Sequence, residues 1–227
     1  MIFFPDQTKI SAMHRWDVSP KEAVAIQRKL CARVVVADRL GPVQRVAGID
    51  VGFKDRGAVV RAAVVVLQYP ELTLVEQVVS ERPAQFPYVP GLLSFREAPV
   101  VLDALAKLAY APGLLLCDAQ GYAHPRRFGL ASHLGVLTDT PVIGVAKTRL
   151  IGEHAPVPAP RGAWTPLRDR DEIIGAALRT RTGVKPLYVS VGHRVCLETA
   201  LRFVMSCVTK YRLPETTRWA HRIASGP

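Results

Sequence analysis

Two acids stand in apolar runs that have the length and pattern of buried strands. Asp50 lies within Val46-Ala-Gly-Ile-Asp-Val-Gly-Phe, and Asp118 closes Leu114-Leu-Leu-Cys-Asp. Alternation places Val46, Gly48 and Asp50 on one strand face and Ala47, Ile49 and Val51 on the other. Both faces are apolar except at Asp50, so this is a central strand. A bare carboxylate is too costly to bury and needs a donor, an opposite charge or a cation. Capping a turn at Gly52 is the plainer alternative for Asp50. A third acid, Glu97, falls four residues after Leu93 on the apolar side of a helix expected over about 91–109, interrupted near Pro99. Arg96 and Arg126 are its candidate partners, unless the kink lets it reach solvent. If the three acids converge, they repel one another strongly unless divalent cations sit among them. Oxygen ligands select hard ions, Mg²⁺ or Mn²⁺. Two such ions about 3.5–4 Å apart activate a water and stabilise the leaving 3′-oxygen of a phosphodiester.

The elements that must position these acids can be read in order. Residues 1–18 form a loosely held arm. Ser19-Pro-Lys-Glu22 then opens a helix with capping-box spacing and Pro at its first position, and Ala23, Ile26, Leu30 and Val34 give it an apolar stripe. After the Asp50 strand come strands over 58–69 and 72–80, joined by short turns that suit an antiparallel meander. The proline-rich loop from Arg82 to Gly91 holds Phe86 and Tyr88 out from the body. Strand 114–118 follows the Glu97 helix and is expected to run parallel to the Asp50 strand. Its carboxyl end carries a basic, glycine-containing loop, Ala119 to Arg127, where open α/β sheets bind ligands. Helix 129–139 leads to strand 141–146, which ends at Lys147. Residues 152–163 read as a surface loop, 173–180 and 187–191 as a hairpin through Thr182-Gly183, and 195–211 as a helix. A last helix begins near Pro214-Glu215.

The 227 residues carry 30 Lys+Arg against 19 Asp+Glu, a net charge of +11, which favours a polyanionic partner, most simply nucleic acid. No apolar run approaches the roughly 18 residues of a membrane span. Cysteines 31, 117, 196 and 207 show no C-x-x-C and no zinc spacing, which suits reduced thiols in a cytoplasmic protein.

Three antiparallel strands, helix, strand, helix, strand is the ribonuclease H-like order. The expected fold is α/β, a mixed five-stranded sheet flanked by helices, with an added C-terminal hairpin and helices, and residues 19–227 forming one catalytic domain. In that order the first and fourth strands are neighbours, which brings Asp50 and Asp118 together, and Glu97 completes a carboxylate cluster.

Several strings resemble the endonuclease V family: Val46 to Asp50, Phe86-Pro-Tyr-Val-Pro-Gly-Leu-Leu-Ser-Phe-Arg-Glu97, Asp118 to Arg126, and Ile143 to Leu150. Ser190-Val-Gly-His193 and Pro214 to His221 extend the resemblance, which runs from about His14 to the carboxyl terminus. The long proline loop joined to Arg96-Glu97 is its most specific part. The resemblance implies a Mg²⁺-dependent nuclease, with Mn²⁺ able to substitute, that recognises deoxyinosine in DNA. It nicks the second phosphodiester on the 3′ side, leaving 3′-hydroxyl and 5′-phosphate. Some members act on inosine in RNA. By position, Asp50 and Asp118 would be metal ligands with Glu97 a third carboxylate, His221 would handle protons, and Lys147 would face the phosphate. Tyr88 would be the wedge that fills the gap of an extruded base. Gly91, Leu93, Ala119 and Leu130 would wall the base pocket, with Gly121 and His124 also contributing to substrate binding. His193 reads as a structural histidine after Gly192. Ala119 departs from the glycine common in relatives. Another ribonuclease H-like nuclease would share the acids but not the proline loop, and a non-catalytic binding module would have no use for the acids. A monomer is expected.

Overall fold

The computed structural model describes residues 13–226. Residues 1–12, most of the expected arm, lie outside them. Residues 13–18 are docked rather than loose. Trp16 packs edge-on against Phe95, and His14 Nε2 meets His133 Nε2 at 2.8 Å. Helix α1 (Pro20–Leu30) starts with the expected capping box, in which the Ser19 hydroxyl accepts from the Glu22 amide and Glu22 accepts from the Ser19 amide.

Strands β1 (Arg45–Lys54), β2 (Val59–Gln68) and β3 (Leu74–Pro83) form the antiparallel meander. Helix α2 (Leu93–Leu105) crosses back to β4 (Leu114–Cys117), which pairs parallel with β1. Helix α3 (Leu130–Thr138) then leads to β5 (Val142–Ala146), parallel to β4. The sheet does not stop at five strands. β6 (Trp164–Asp169), β7 (Glu172–Leu178) and β8 (Leu187–His193) extend it to eight, in the order β3-β2-β1-β4-β5-β8-β7-β6. The expected hairpin is therefore β7–β8, and β6 is an edge strand that keeps Pro166, a residue edge strands tolerate. Helices α4 (Leu197–Ser206) and α5 (Glu215–Ala224) close the described chain.

The helices bury their apolar faces on opposite sides of the sheet. Ala47, Ile49 and Val64 pack with Ala98, Leu105 and Leu134 from α2 and α3. Val46, Leu116 and Val189 pack with Leu201 and Ala220 from α4 and α5. Helix α2 runs unbroken through Pro99 rather than being interrupted there. Burial of Ala98, Val101, Leu102 and Leu105 outweighs the proline's penalty of about 3 kcal/mol. Two glycines on β1 seat α5. A methyl at Gly48 would lie 2.0 Å from the Thr216 carbonyl oxygen, and one at Gly52 would lie 2.4 Å from that of Ala224. Among the described residues, no helix is long and apolar enough to cross a membrane.

Candidate active site

The parallel register of β1 and β4 aligns Ile49 with Cys117, so the next residues, Asp50 and Asp118, emerge side by side. The Asp118 amide donates to the Ile49 carbonyl at 2.9 Å and fixes that alignment. Helix α5, seated on Gly48 and Gly52, brings His221 over the same spot. Its Nδ1 lies 2.6 Å from Asp50 Oδ2. From the end of β5, Lys147 Nζ reaches Asp118 Oδ2 at 2.5 Å and sits 3.2 Å from His221 Nδ1. Ligand atoms of Asp50, Asp118 and His221 lie within 4.8 Å of one another.

Glu97, expected as the third carboxylate, stands outside that short-range set because it comes from α2 rather than a strand end. It is nevertheless close enough to feel both aspartates. Burial first, and then the charge of Asp50, pushes its carboxyl up to about 8, and Asp118 adds to the effect. Burial and Asp50 also raise Asp118, against the pull of Lys147. Neither arginine weighed as a partner pairs with Glu97. Arg96 donates to the carbonyls of Phe86 and Gly57, and Arg126 to Gln27 Oε1 and the Gly91 carbonyl. Two aspartates and an imidazole converge with a single lysine, and the buried Glu97 carboxyl stands behind them. That donor set fits a hard divalent cation.

Beside the acids opens a pocket of about 380 Å³, whose walls include Tyr88, Gly91, Leu93, Ala119, His124 and Leu130. Glu97, Asp118 and Lys147 also face it, so the pocket and the acid cluster are continuous. Tyr88 is 69% exposed at its rim, whereas Phe86 is 4% exposed. The expectation that both rings project is corrected. Phe86 turns inward onto Phe95, with centroids 5.5 Å apart, and Tyr88 alone projects. Gly91 takes φ +78°, and its carbonyl accepts from Gln27, His124 and Arg126, which fixes this wall. His124 therefore shows the pocket its ring and not a free nitrogen, because its Nδ1 also accepts from the Arg126 amide. Gly121 does not line the pocket. Its amide donates to Ser190 Oγ, and a methyl there would strike the Val191 carbonyl at 2.2 Å, so it holds the loop against β8. His193 is structural, its Nδ1 accepting from the Val35 amide at 3.2 Å.

Two residues that the sequence did not single out brace the site. Gln120 Nε2 donates to the Thr148 carbonyl, and Arg212 donates to the carbonyls of Lys147, Lys185 and Pro186. Together they hold the Lys147 segment from both sides. Neither shows a sequence signal beyond lying beside Gly121 and Leu213-Pro214.

Carboxylates at the ends of adjacent parallel strands, with lysine and histidine in contact, are the equipment of a nuclease of the α/β class, and their donor atoms would suit a divalent cation. The Endonuclease V family model matches residues 28–222. The endonuclease V of Roseiflexus castenholzii is 60% identical over 217 residues, covering 96% of this chain and 97% of its own. The crystal structure of endonuclease V from Streptomyces avermitilis superposes with a TM-score of 0.88 at 48% identity, covering 92% of both chains. The Ciona intestinalis endonuclease V, in complex with a 24mer DNA containing an inosine followed by a ribo-adenosine, gives a TM-score of 0.77 at 29% identity, covering 90% of this chain and 95% of that one. The chain belongs to the endonuclease V family.

Proposed function

We propose that the protein is a DNA repair endonuclease that recognises deoxyinosine and hydrolyses the second phosphodiester on its 3′ side, leaving 3′-hydroxyl and 5′-phosphate. The observation that carries this reading is the continuity of the Asp50, Asp118 and His221 cluster with a pocket rimmed by Tyr88. Asp50 and Asp118 would hold Mg²⁺, or Mn²⁺ in its place, with Glu97 behind them. The bound ion would supply Lewis acidity at the scissile phosphate and would make a water a better proton donor to a neighbouring base. Lys147 offers its ammonium to the scissile phosphate. Asp50 holds His221 through Nδ1, which leaves Nε2 to exchange a proton with the reacting oxygens. Tyr88 replaces the stacking lost when the base turns out, and Gly91, Leu93, Ala119 and Leu130 enclose the base. Hypoxanthine lacks guanine's 2-amino group, so a close backbone wall excludes guanine by size or leaves its donor unpaired.

The ribo-adenosine beside inosine in the Ciona complex supports inosine-containing RNA as a second substrate. Residues 19–227 act as one catalytic domain, in a cytoplasmic monomer. The test is Mg²⁺-dependent cutting of matched oligonucleotides with and without one deoxyinosine, and of an inosine-containing RNA. A single nick one nucleotide beyond the lesion is expected, and equal cutting of both DNAs would overturn the reading.

A further inference from the structure

Helix α5 has an outward stripe that the acid cluster does not use. Its buried residues are Glu215, Thr216, Thr217, Ala220 and Ala224, so Arg218, His221 and Arg222, at i, i+3 and i+4, line the other side. His221 is the middle member of this stripe and touches Asp50. The cations on either side of it are interleaved with rings. The Arg218 guanidinium lies 4.7 Å from the Tyr211 centroid, and that of Arg222 lies 4.9 Å from Trp219. Lys210 sits 5.8 Å from the Tyr211 ring, which is 46% exposed. The one acid of the helix, Glu215, is turned inward, where it accepts from Thr209, Arg218 and Trp219 Nε1. Among the described residues, no acid pairs with Lys210 or Arg222.

Two cations without an acid partner, Lys210 and Arg222, flank the Glu215-paired Arg218 among partly exposed rings, and a surface of this kind, joined to the reactive centre by His221, suits a nucleic-acid strand. The base pocket lies on the Glu97 and Tyr88 side of the cluster, and this row lies on the His221 side. A strand that leaves the pocket past Asp118, and then past Asp50, arrives at His221 and this row. We infer that Lys210, Tyr211 and Arg222 hold the substrate strand beyond the scissile phosphate, on the 3′ side, taking its phosphates on the cations and a base on the tyrosine ring. The choice of side rests on the proposed cut 3′ to the lesion.

The test measures binding in EDTA, where no strand is cut, as a function of salt. Each cation lost from a phosphate contact should flatten the log–log salt slope by about one unit. Lys210→Ala and Arg222→Ala should each weaken binding about 5–10-fold on a deoxyinosine oligonucleotide with a long 3′ arm, and hardly at all on one truncated just past the cut. Arg181→Ala, which removes the same charge from the turn between β7 and β8, sets the background. A loss no larger than that of Arg181→Ala, or one that persists on the truncated oligonucleotide, would overturn the inference. An undamaged oligonucleotide separates the two readings. If deoxyinosine confers no preference, the proposed function fails, yet the slope change on undamaged DNA still reports on the cationic row.

Discussion

Replacing Gly48 with alanine is the sharpest probe of how the site is assembled. The added methyl would meet the Thr216 carbonyl oxygen at 2.0 Å and its carbon at 2.1 Å, and these are backbone atoms of α5. Restoring ordinary contact near 3.4 Å requires α5 to move outward by about 1.4 Å. The helix carries His221, whose Nδ1 would leave its 2.6 Å contact with Asp50. A misplacement of about 1 Å costs roughly 10²-fold in rate, and overpacking costs about 1–3 kcal/mol of stability. Gly48→Ala should therefore stay folded with a lowered Tm and lose about 100-fold in single-turnover nicking of a deoxyinosine duplex with Mg²⁺. Its binding of undamaged DNA should change little. A variant with lowered Tm but nicking within about threefold of the parent would refute the idea that the α5 seat positions His221.

Asp50→Asn and Asp118→Asn should each abolish Mg²⁺-dependent nicking while retaining DNA binding, and substantial activity in either purified variant would remove that residue from the metal site. Tyr88→Ala should weaken binding to deoxyinosine DNA by about 1–3 kcal/mol, the scale of base–aromatic stacking, with a much smaller loss on undamaged DNA; equal losses would make Tyr88 a scaffold residue. Burial holds His124 down to about 4, below its ordinary 6.5. Between those values the unfolded chain binds the proton first, so stability is present above about 6.5 and is lost as pH falls toward 4. On going from pH 7 to 5 the parent should lose about 2 kcal/mol more than His124→Gln in urea unfolding, and parallel profiles would contradict this.

The strands and the meeting of Asp50 with Asp118 were legible because alternation and element order are local signals that a sheet converts into neighbours. The place of His221 beside these acids came from the family resemblance and not from any local pattern, because 171 residues separate it from Asp50 and only the seating of α5 joins them. Its trace in the sequence is the pair Gly48 and Gly52, four residues apart on one strand face, which marks a close backbone approach. Phe86 was misread because prolines stiffen a loop without saying which side chain faces inward. The β6 strand escaped because Pro166, Arg168 and Asp169 suit an edge that faces water, where hydrophobic alternation fades. The docking of His14 against His133 joins residues 119 apart and leaves no periodic mark.

The seat of α5 on β1 also sets an order of events during synthesis. Asp50 and Asp118 leave the ribosome well before the histidine that touches Asp50, and until α5 is made Gly48 and Gly52 have nothing to cover them. A nascent chain therefore carries acids and a basic surface near messenger and ribosomal RNA without a finished cutting centre. The cluster of Asp50, Asp118 and His221 is complete only when α5 docks.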